Sequence, residues 1–438
     1  MSSWADKYRE IISSNDAPHV IVADNDNLLA YDELQKYIQD EGFQILHAKS
    51  GLDVRCLFEL QMRDNPDKIL IVAPPQYKPL PDITSSVRYL SLGLKELFPN
   101  LDSESLRGLS FNALCLLSNI RPYEELGRER TLKFLLENLY NVDFDTLSGN
   151  TSRERILNAL IMVFLEKNGI NASLAAFLEN LARPYLPDLV AAGLTKINLV
   201  DYLQRSWNEY LETGSSKINF QDTVLSKSFG YLFIFDYLKP AKVSREKADA
   251  LPKVLHIAIC VDEEEDRARE LEALIQYLEQ QESIIEDDYQ QWFKIIQVLA
   301  KAELSDLAAS RHDQSHALSK VNGSLNERFQ RFLDNTYWSL FSLSGVRRPV
   351  VISRVLEYMK AQPERRKALI VIDCMNYWQW LVIAQILKGN GISSSTSTTM
   401  AFIPSITAWS RQALFRGDKP DLSEDNSKES VCFVDAYS

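Results

Sequence analysis

Three short apolar runs, separated by two amphipathic stretches, fill much of the first hundred residues. The runs cover residues 19–24, 43–48 and 68–73, and the stretches between them cover residues 31–41 and 53–62. Each run has the length of a buried strand, and each stretch repeats its apolar positions at helical spacing. This β-α-β-α-β order predicts a parallel sheet with right-handed crossovers. Residues 1–100 are therefore expected to form a small α/β domain.

Asp24 is the last residue of the first run, and a second aspartate, Asp26, follows it. In receiver-like folds an acid at this place is phosphorylated or binds a metal, so both are candidates for chemistry. The favoured interpretation is that they cap the turn that follows, because Asp side chains accept hydrogen bonds from backbone N–H groups at helix starts. The turn contains no glycine, which excludes a dinucleotide-binding fingerprint.

From residue 101 to residue 345 the apolar positions change to helical spacing. Amphipathic segments cover residues 101–109, 129–139, 153–166, 172–181 and 199–211. Two further apolar runs, 231–238 and 254–261, fit either a strand or a buried helix. The pattern predicts a helical middle domain over residues 101–345.

Three features of this middle region invite a functional interpretation. The acidic run from Asp262 to Asp266 is better explained as negative charge at the N-terminus of the next helix than as a cation site. His312 and His316 have a metal-compatible spacing, but their polar neighbours favour a solvated helix face, and no Glu follows His312 as a metalloprotease requires. The aromatic stripe in residues 326–344 is interpreted as core rather than as a surface that stacks bases.

The last part of the chain, residues 346–438, opens with another apolar run. Residues 368–372 read Ala-Leu-Ile-Val-Ile, a composition typical of a strand buried on both faces, and Asp373 follows. Apolar residues then recur at helical spacing from Met375 to Gly389. Asp373 is therefore expected at the carboxyl end of a parallel strand, the edge at which open α/β sheets bind ligands.

A turn and a short helix are predicted after a polar tract. Pro404 and Ser405 are turn residues, residues 407–416 have a helical pattern, and Gly417 stands where a helix would end. The Thr407 hydroxyl is thus expected at a helix N-terminus, where unpaired N–H groups and the helix dipole favour a phosphate.

Together these elements resemble the PglZ domain of the alkaline phosphatase superfamily. The matching elements are the run ending in Asp373, the aromatic helix start Tyr377-Trp378, the motif Pro404-Ser405-Ile406-Thr407 and the stretch Ala413-Leu414-Phe415-Arg416-Gly417. The resemblance implies that Asp373 is a metal ligand and that Thr407 is the nucleophile, or its equivalent, beside two divalent metals, commonly zinc. Such metals lower the pKa of a hydroxyl and clamp both oxygens of a phosphoryl transfer.

The same resemblance sets an expectation about the ligand set. The superfamily needs further Asp and His ligands after the nucleophile, whereas all five histidines of this chain precede Asp373. Asp435 is a candidate third ligand, and Arg411 is a further candidate site residue. The side-chain oxygens of Asp373 and Thr407 are expected within about 8 Å of each other. We expect a chain truncated within its PglZ domain and little catalysis from these residues alone.

The composition limits the function classes. With 45% hydrophobic and 25% charged residues, the chain resembles a soluble globular protein. Its net charge of −12 excludes a global basic field for nucleic acid, so direct nucleic-acid binding stays open only for local patches. The five Cys have no paired spacing, which favours a reduced, cytoplasmic location. No apolar run approaches the ~18 residues of a membrane span.

The order of the three parts resembles the PglZ family of BREX bacteriophage-defence systems. This resemblance implies a metal-dependent phosphatase or phosphodiesterase in its full-length form. Its expected partners are other BREX subunits, including the DNA methyltransferase component. The alternative is a non-catalytic scaffold whose N-terminal and helical regions dock those subunits.

Overall fold

The chain forms two compact units, Met1–Phe229 and Gly230–Ser438. The structure, a computed structural model, describes residues 4–14, 17–63, 65–120, 122–143, 151–165, 170–281, 288–309, 314–343, 349–364, 366–417, 419–420 and 434. A small parallel sheet near the N-terminus is followed by helices, as the sequence predicts. The three-part division, with boundaries near residues 100 and 345, stays a prediction.

A four-stranded parallel sheet lies in the first unit. Its strands are β1 (His19–Asp24), β2 (Gln44–His47), β3 (Ile69–Ala73) and β4 (Arg88–Leu92), in the order β2-β3-β1-β4. The register pairs Val20 of β1 with Leu70 of β3 and with Arg88 of β4. The three predicted strands and their parallel arrangement are confirmed. Strand β4 was not predicted, because Arg-Tyr-Leu-Ser-Leu is neither a continuous apolar run nor a strict alternation.

The central position of β1 explains its apolar sequence. Ile21 is 0% exposed and packs in one cluster with Val54, Phe58 and Met62 from the segment that follows β2. A strand that is paired on both edges and covered on both faces needs apolar side chains at successive positions. Complete burial of a side chain such as Ile21 contributes roughly 1.5–3 kcal/mol.

The first unit also contains twelve complete helices within its described residues. They are α1 (Trp4–Ser13), α2 (Asp32–Asp40), α3 (Gly51–Leu57), α4 (Pro81–Thr84), α5 (Leu94–Leu97), α6 (Ser103–Leu106), α7 (Phe111–Asn119), α8 (Arg128–Tyr140), α9 (Arg153–Leu165), α10 (Ala172–Ala182), α11 (Pro187–Ala192) and α12 (Lys196–Thr213), with a 3₁₀ turn at Leu28–Ala30 and a π-helical turn at Phe58–Met62. The Asn171 side chain caps α10 by accepting the N–H of Leu174 at 2.9 Å. Its amide donates to the carbonyls of Ser105 and Arg107, which ties α10 to the end of α6.

The second unit is mainly helical. The boundary between the units falls within α13 (Leu225–Ile234). The elements that follow are α14 (Arg245–Asp249), α15 (Glu263–Gln280), α16 (Tyr289–Ala308), α17 (Ser315–Asn335), α18 (Leu340–Leu343), α19 (Val355–Ala361), α20 (Tyr377–Gly389) and α21 (Thr407–Arg416), with 3₁₀ turns at Lys253–Ala258, Tyr337–Ser339 and Ile352–Arg354. Strands β5 (Ala241–Lys242) and β6 (Ile259–Cys260) pair in parallel. Two apolar runs fitted either a strand or a buried helix. The run at residues 231–238 contains the end of α13, and the run at residues 254–261 contains most of the 3₁₀ turn and all of β6.

The core of the second unit lies among α15, α16 and α17. Trp292 of α16 is 2% exposed, and its ring centroid lies 5.1 Å from that of Phe329 and 5.9 Å from that of Phe332. These contacts confirm the core interpretation for this part of the aromatic stripe. The interpretation was wrong for Trp338, which is 55% exposed. Among the described helices, none combines the length and the apolar content needed to cross a membrane.

Candidate active site

The apolar run before Asp373 does not form the predicted strand. Residues 367–372 lack regular secondary structure and pair with no strand in the described part of the chain. Ile370 is 83% exposed and Ile372 is 54% exposed, so the expectation of burial on both faces was wrong. The physical reason is that a parallel strand is stabilised by neighbouring strands and by helices on its faces. The described residues place no strand beside this run.

Asp373 nevertheless lies directly before a helix, as predicted. Helix α20 begins at Tyr377, and the backbone N–H of Asn376 donates to Gln379 Oε1 at 2.8 Å to fix its start. The Oδ1 atom of Asp373 accepts the N–H of Cys374 at 2.9 Å. Cys374 has a φ of 56°, a left-handed conformation that costs a non-glycine residue of order 1–3 kcal/mol. The backbone is thus constrained directly after the predicted site residue Asp373.

The turn and helix around Thr407 agree with the sequence analysis. Helix α21 begins at Thr407 and ends at Arg416, and Gly417 adopts a φ of 76° as its C-cap. Thr407 is the first helical residue and its side chain is exposed, so the hydroxyl lies at the helix N-terminus within reach of a ligand. The predictions of this helix and of its end are confirmed.

A buried tyrosine hydroxyl fixes the segment that leads to Thr407. Tyr337 is 1% exposed, and its hydroxyl donates to the carbonyl of Ala401 at 2.7 Å and accepts the N–H of Ile403 at 2.9 Å. Burial raises the pKa of Tyr337, so the hydroxyl keeps its proton and its donor role at neutral pH. The sequence analysis missed this contact because an aromatic stripe indicates burial but not the partner of a hydroxyl.

Backbone pairing and packing anchor the same segment. The N–H of Met400 donates to the carbonyl of Val350 at 2.7 Å, and the N–H of Ile352 donates to the carbonyl of Met400 at 2.9 Å. Phe402 is 4% exposed, and its ring meets that of Trp338 edge-on at 6.2 Å. The turn before α21 is therefore held by the core of the second unit.

A complete metal shell is not assembled in the part of the chain that the structure describes. No group of three His, Cys, Asp or Glu side chains that could hold a metal occurs there. Asp435 lies outside the described residues, and Arg411 is exposed on α21. The expected approach of Asp373 to Thr407 stays a prediction. Because a two-metal centre needs several fixed ligands, the described residues do not by themselves fit one, and no catalytic step is assigned to a metal.

The two aspartates at the end of β1 and just after it, Asp24 and Asp26, have structural roles. Asp24 is 3% exposed, and its carboxylate accepts the N–H groups of Leu28 and Leu29, each at 2.8 Å. Asp26 forms an ion pair with Arg107 at 2.7 Å. The two hydrogen bonds of Asp24 confirm that it caps the turn that follows. The ion pair with Arg107 gives Asp26 a structural role as well.

The acidic run and the histidine pair also have simple explanations. Asp262 caps α15 by accepting the N–H groups of Glu264 and Glu265, which confirms its role at a helix N-terminus. His316 is exposed on α17, as a solvated helix face predicts. His312 lies outside the described residues.

The comparison with protein families bears on the C-terminal region alone. No curated protein and no solved structure matches the chain. Residues 351–438 match the family model described as the BREX system PglZ alkaline phosphatase-like domain, and this range contains Asp373, Thr407, Arg411 and Asp435. The resemblance inferred from the motifs is confirmed: the C-terminal region of this chain is similar to the PglZ alkaline phosphatase-like domain of BREX systems.

Proposed function

We propose that this chain acts in a BREX phage-defence system and that Asp373 and Thr407 belong to an alkaline phosphatase-like site that hydrolyses a phosphate ester. The observation that carries the proposal is the position of Thr407. Its hydroxyl is exposed at the first residue of α21, on a segment that Tyr337 fixes from the core. The family match over residues 351–438 supports the assignment.

The chain's own residues explain part of the chemistry. The dipole of α21 and the N–H groups of its first two residues, Thr407 and Ala408, favour the oxygens of a phosphate group, which would place phosphorus beside the Thr407 hydroxyl. A hydroxyl is a weak nucleophile until a base or a cation lowers its pKa. A divalent metal, with zinc the common choice, would supply this activation, but it needs ligands beyond those that the described residues bring together.

The second candidate function is that of a scaffold. It is favoured by the exposed apolar side chains of Leu369, Ile370, Val371 and Ile372, because contiguous exposed apolar surface is typical of sites that bind other proteins. In this interpretation the chain docks other BREX subunits in the cytoplasm, among them the DNA methyltransferase component, and the phosphatase-like region is inert.

Hydrolysis assays separate the two functions. The substrates are p-nitrophenyl phosphate and bis(p-nitrophenyl) phosphate, with Zn²⁺, Mn²⁺ or Mg²⁺ added. Two preparations are assayed with these substrates. One is the chain of residues 1–438 alone, and the other is the protein purified from its native host together with its accompanying subunits. We expect background turnover from residues 1–438. In the native preparation we expect turnover that falls at least about 1000-fold in Thr407→Ala, because removal of a nucleophile can cost as much as about 10⁶-fold in kcat.

The matched control is Ser319→Ala, which removes an exposed hydroxyl from α17. Equal turnover of the native preparation and its Thr407→Ala form would refute the assignment of the nucleophile. A silent native preparation that still co-purifies with BREX subunits would favour the scaffold. Metal-dependent turnover by residues 1–438 that is lost in Thr407→Ala would show that the expectation of a missing ligand set was wrong.

A further inference from the structure

Four aromatic side chains lie beside the segment that carries Thr407. They are Tyr337, Trp338, Phe341 and Phe402, together the aromatic cluster. The ring centroids of Trp338 and Phe341 lie 5.8 Å apart, and Phe402 meets these two rings edge-on at 6.2 and 6.1 Å. Tyr337 also meets both rings edge-on. The cluster thus joins the turn at Tyr337–Ser339 and α18 to the chain just before α21.

The chain returns to the aromatic cluster after α21. The Nζ atom of Lys419 lies 5.7 Å from the ring centroid of Trp338 and 5.5 Å from that of Phe341, over the rings. An ammonium within about 6 Å of an aromatic ring is attracted by the negative face of the ring. Because two rings attract the same ammonium, its place on the cluster is defined from two directions.

The residues on either side of Lys419 favour this contact. Pro420 is buried, so the chain is held directly after Lys419. A residue that precedes a proline is biased toward extended conformations, and Lys419 therefore loses less backbone freedom when it is held against the rings. Two residues before Lys419, Gly417 ends α21 with a φ of 76°. Lys419 is thus linked to the end of the helix by a short stretch of chain.

Helix α21 is therefore connected to the aromatic cluster at both ends. Tyr337 binds the backbone before the helix, and Lys419 contacts the cluster after it. Between these points Ala413 and Leu414 are buried, and the helix packs on the turn at Ile352–Arg354. Apolar packing is non-directional, so it holds α21 against the core, whereas the contacts at the two ends fix the direction of its axis.

We propose that Lys419 and the aromatic cluster clamp the C-terminal end of α21 and that Lys419 is thereby a positioning residue for Thr407. Thr407 is the first residue of the same helix, so a shift of the C-terminal end moves its hydroxyl. Misplacement of a reacting group by about 1 Å can cost about 10²-fold in rate. The clamp does not depend on any reaction, but its consequence for Thr407 rests on the proposed hydrolytic function.

Fluorine NMR of the whole chain labelled with 5-fluorotryptophan tests the contact. The chain has seven Trp, and the signal that disappears in Trp338→Phe identifies Trp338. Lys419→Met removes the charge and keeps an unbranched side chain, so we expect it to shift the Trp338 signal. The matched control is Lys320→Met, which removes an exposed Lys from α17 and should leave the signal in place.

Hydrogen exchange followed by mass spectrometry tests the clamp. In Lys419→Met we expect residues 411–417 to exchange about two- to fivefold faster, the effect of losing an exposed cation–π contact. Lys419→Arg should restore slow exchange, because a guanidinium also binds the faces of aromatic rings. An unshifted Trp338 signal in Lys419→Met, or equal exchange in Lys419→Met and Lys320→Met, would overturn the inference. Circular dichroism confirms that each variant is folded.

Hydrolysis of p-nitrophenyl phosphate by the native preparation tests the consequence for Thr407. We expect Lys419→Met to lower kcat about tenfold and to leave KM within about twofold, because it displaces the nucleophile without touching the substrate. Lys419→Arg should restore kcat. Faster exchange in Lys419→Met with an unchanged kcat would refute the positioning role and leave the proposed function intact. A native preparation without hydrolysis would refute the proposed function, while the NMR and exchange results would still decide whether the clamp exists.

Discussion

Two segments of this chain have similar sequence patterns and different structures. His19-Val-Ile-Val-Ala-Asp24 and Ala368-Leu-Ile-Val-Ile-Asp373 are both apolar runs that end in an aspartate. The first is β1, paired on both edges, with Ile21 at 0% exposure. The second has no strand beside it in the described part of the chain, and Ile370 is 83% exposed. An apolar run therefore shows that a segment is able to form a buried strand. Whether it does so depends on the strands and helices that pack beside it.

The two terminal aspartates differ in the same way. Both carboxylate oxygens of Asp24 accept buried N–H groups, from Leu28 and Leu29, so this residue stabilises the fold. Asp373 is exposed, and its Oδ1 accepts the N–H of the adjacent Cys374. A carboxylate with an accessible oxygen can bind a ligand, so the exposure of the side chain, rather than the residue type, distinguishes Asp373, which is proposed to bind a ligand, from the structural Asp24.

The largest expected effect compares the two apolar runs directly. Ile21→Ala should destabilise the first unit by about 2–5 kcal/mol, because it leaves a cavity in a packed core. Ile370→Ala should change stability by less than about 0.5 kcal/mol, as exposed substitutions usually do. Hydrogen exchange of residues 19–24 and 367–373, followed by mass spectrometry, measures both effects locally.

In the unchanged chain we expect slow exchange for residues 19–24 and fast exchange for residues 367–373. Strong protection of residues 367–373 in the native protein with its accompanying subunits would show that a partner supplies the neighbouring strands. Strong protection in residues 1–438 alone would contradict the comparison.

Whether the sequence predicted an element correctly depends on how far apart in the sequence the interacting residues lie. Helix α21, from Thr407 to the stop at Gly417, could be predicted because its signals are local, and so could the capping role of Asp24. Whether residues 368–372 form a buried strand could not be predicted, because this depends on neighbouring strands and helices that are far away in the sequence. The Tyr337 contacts span 64 and 66 residues, and no local pattern encodes them.

An intermediate loss of stability is expected for substitution of Tyr337. Its hydroxyl anchors the segment before Thr407, whereas no such contact holds the run before Asp373 within the described residues. Tyr337→Phe removes the hydrogen-bond partner of the Ile403 N–H and of the Ala401 carbonyl. The loss should weaken the segment by about 1–3 kcal/mol, and hydrogen exchange of residues 400–406 should accelerate. The matched control is Tyr358→Phe, a half-buried tyrosine on α19. If exchange of residues 400–406 is the same in both variants, the hydroxyl does not position Thr407.

The smallest expected effect compares the two aspartates. Asp24→Ala removes the acceptor of two buried N–H groups, and the loss of a cap costs about 0.5–2 kcal/mol, so the amides of Leu28 and Leu29 should exchange faster. Asp373→Ala should leave stability unchanged within about 0.5 kcal/mol, because its carboxylate is exposed and bonded to the adjacent residue. Urea denaturation followed by circular dichroism gives the two stabilities, and hydrogen exchange locates the change. A loss in Asp373→Ala as large as that in Asp24→Ala would mean that the Asp373 carboxylate holds the fold. The Oδ1 atom of Asp373, which accepts the N–H of Cys374, would then make a structural contact, and a cation would have to be bound through Oδ2.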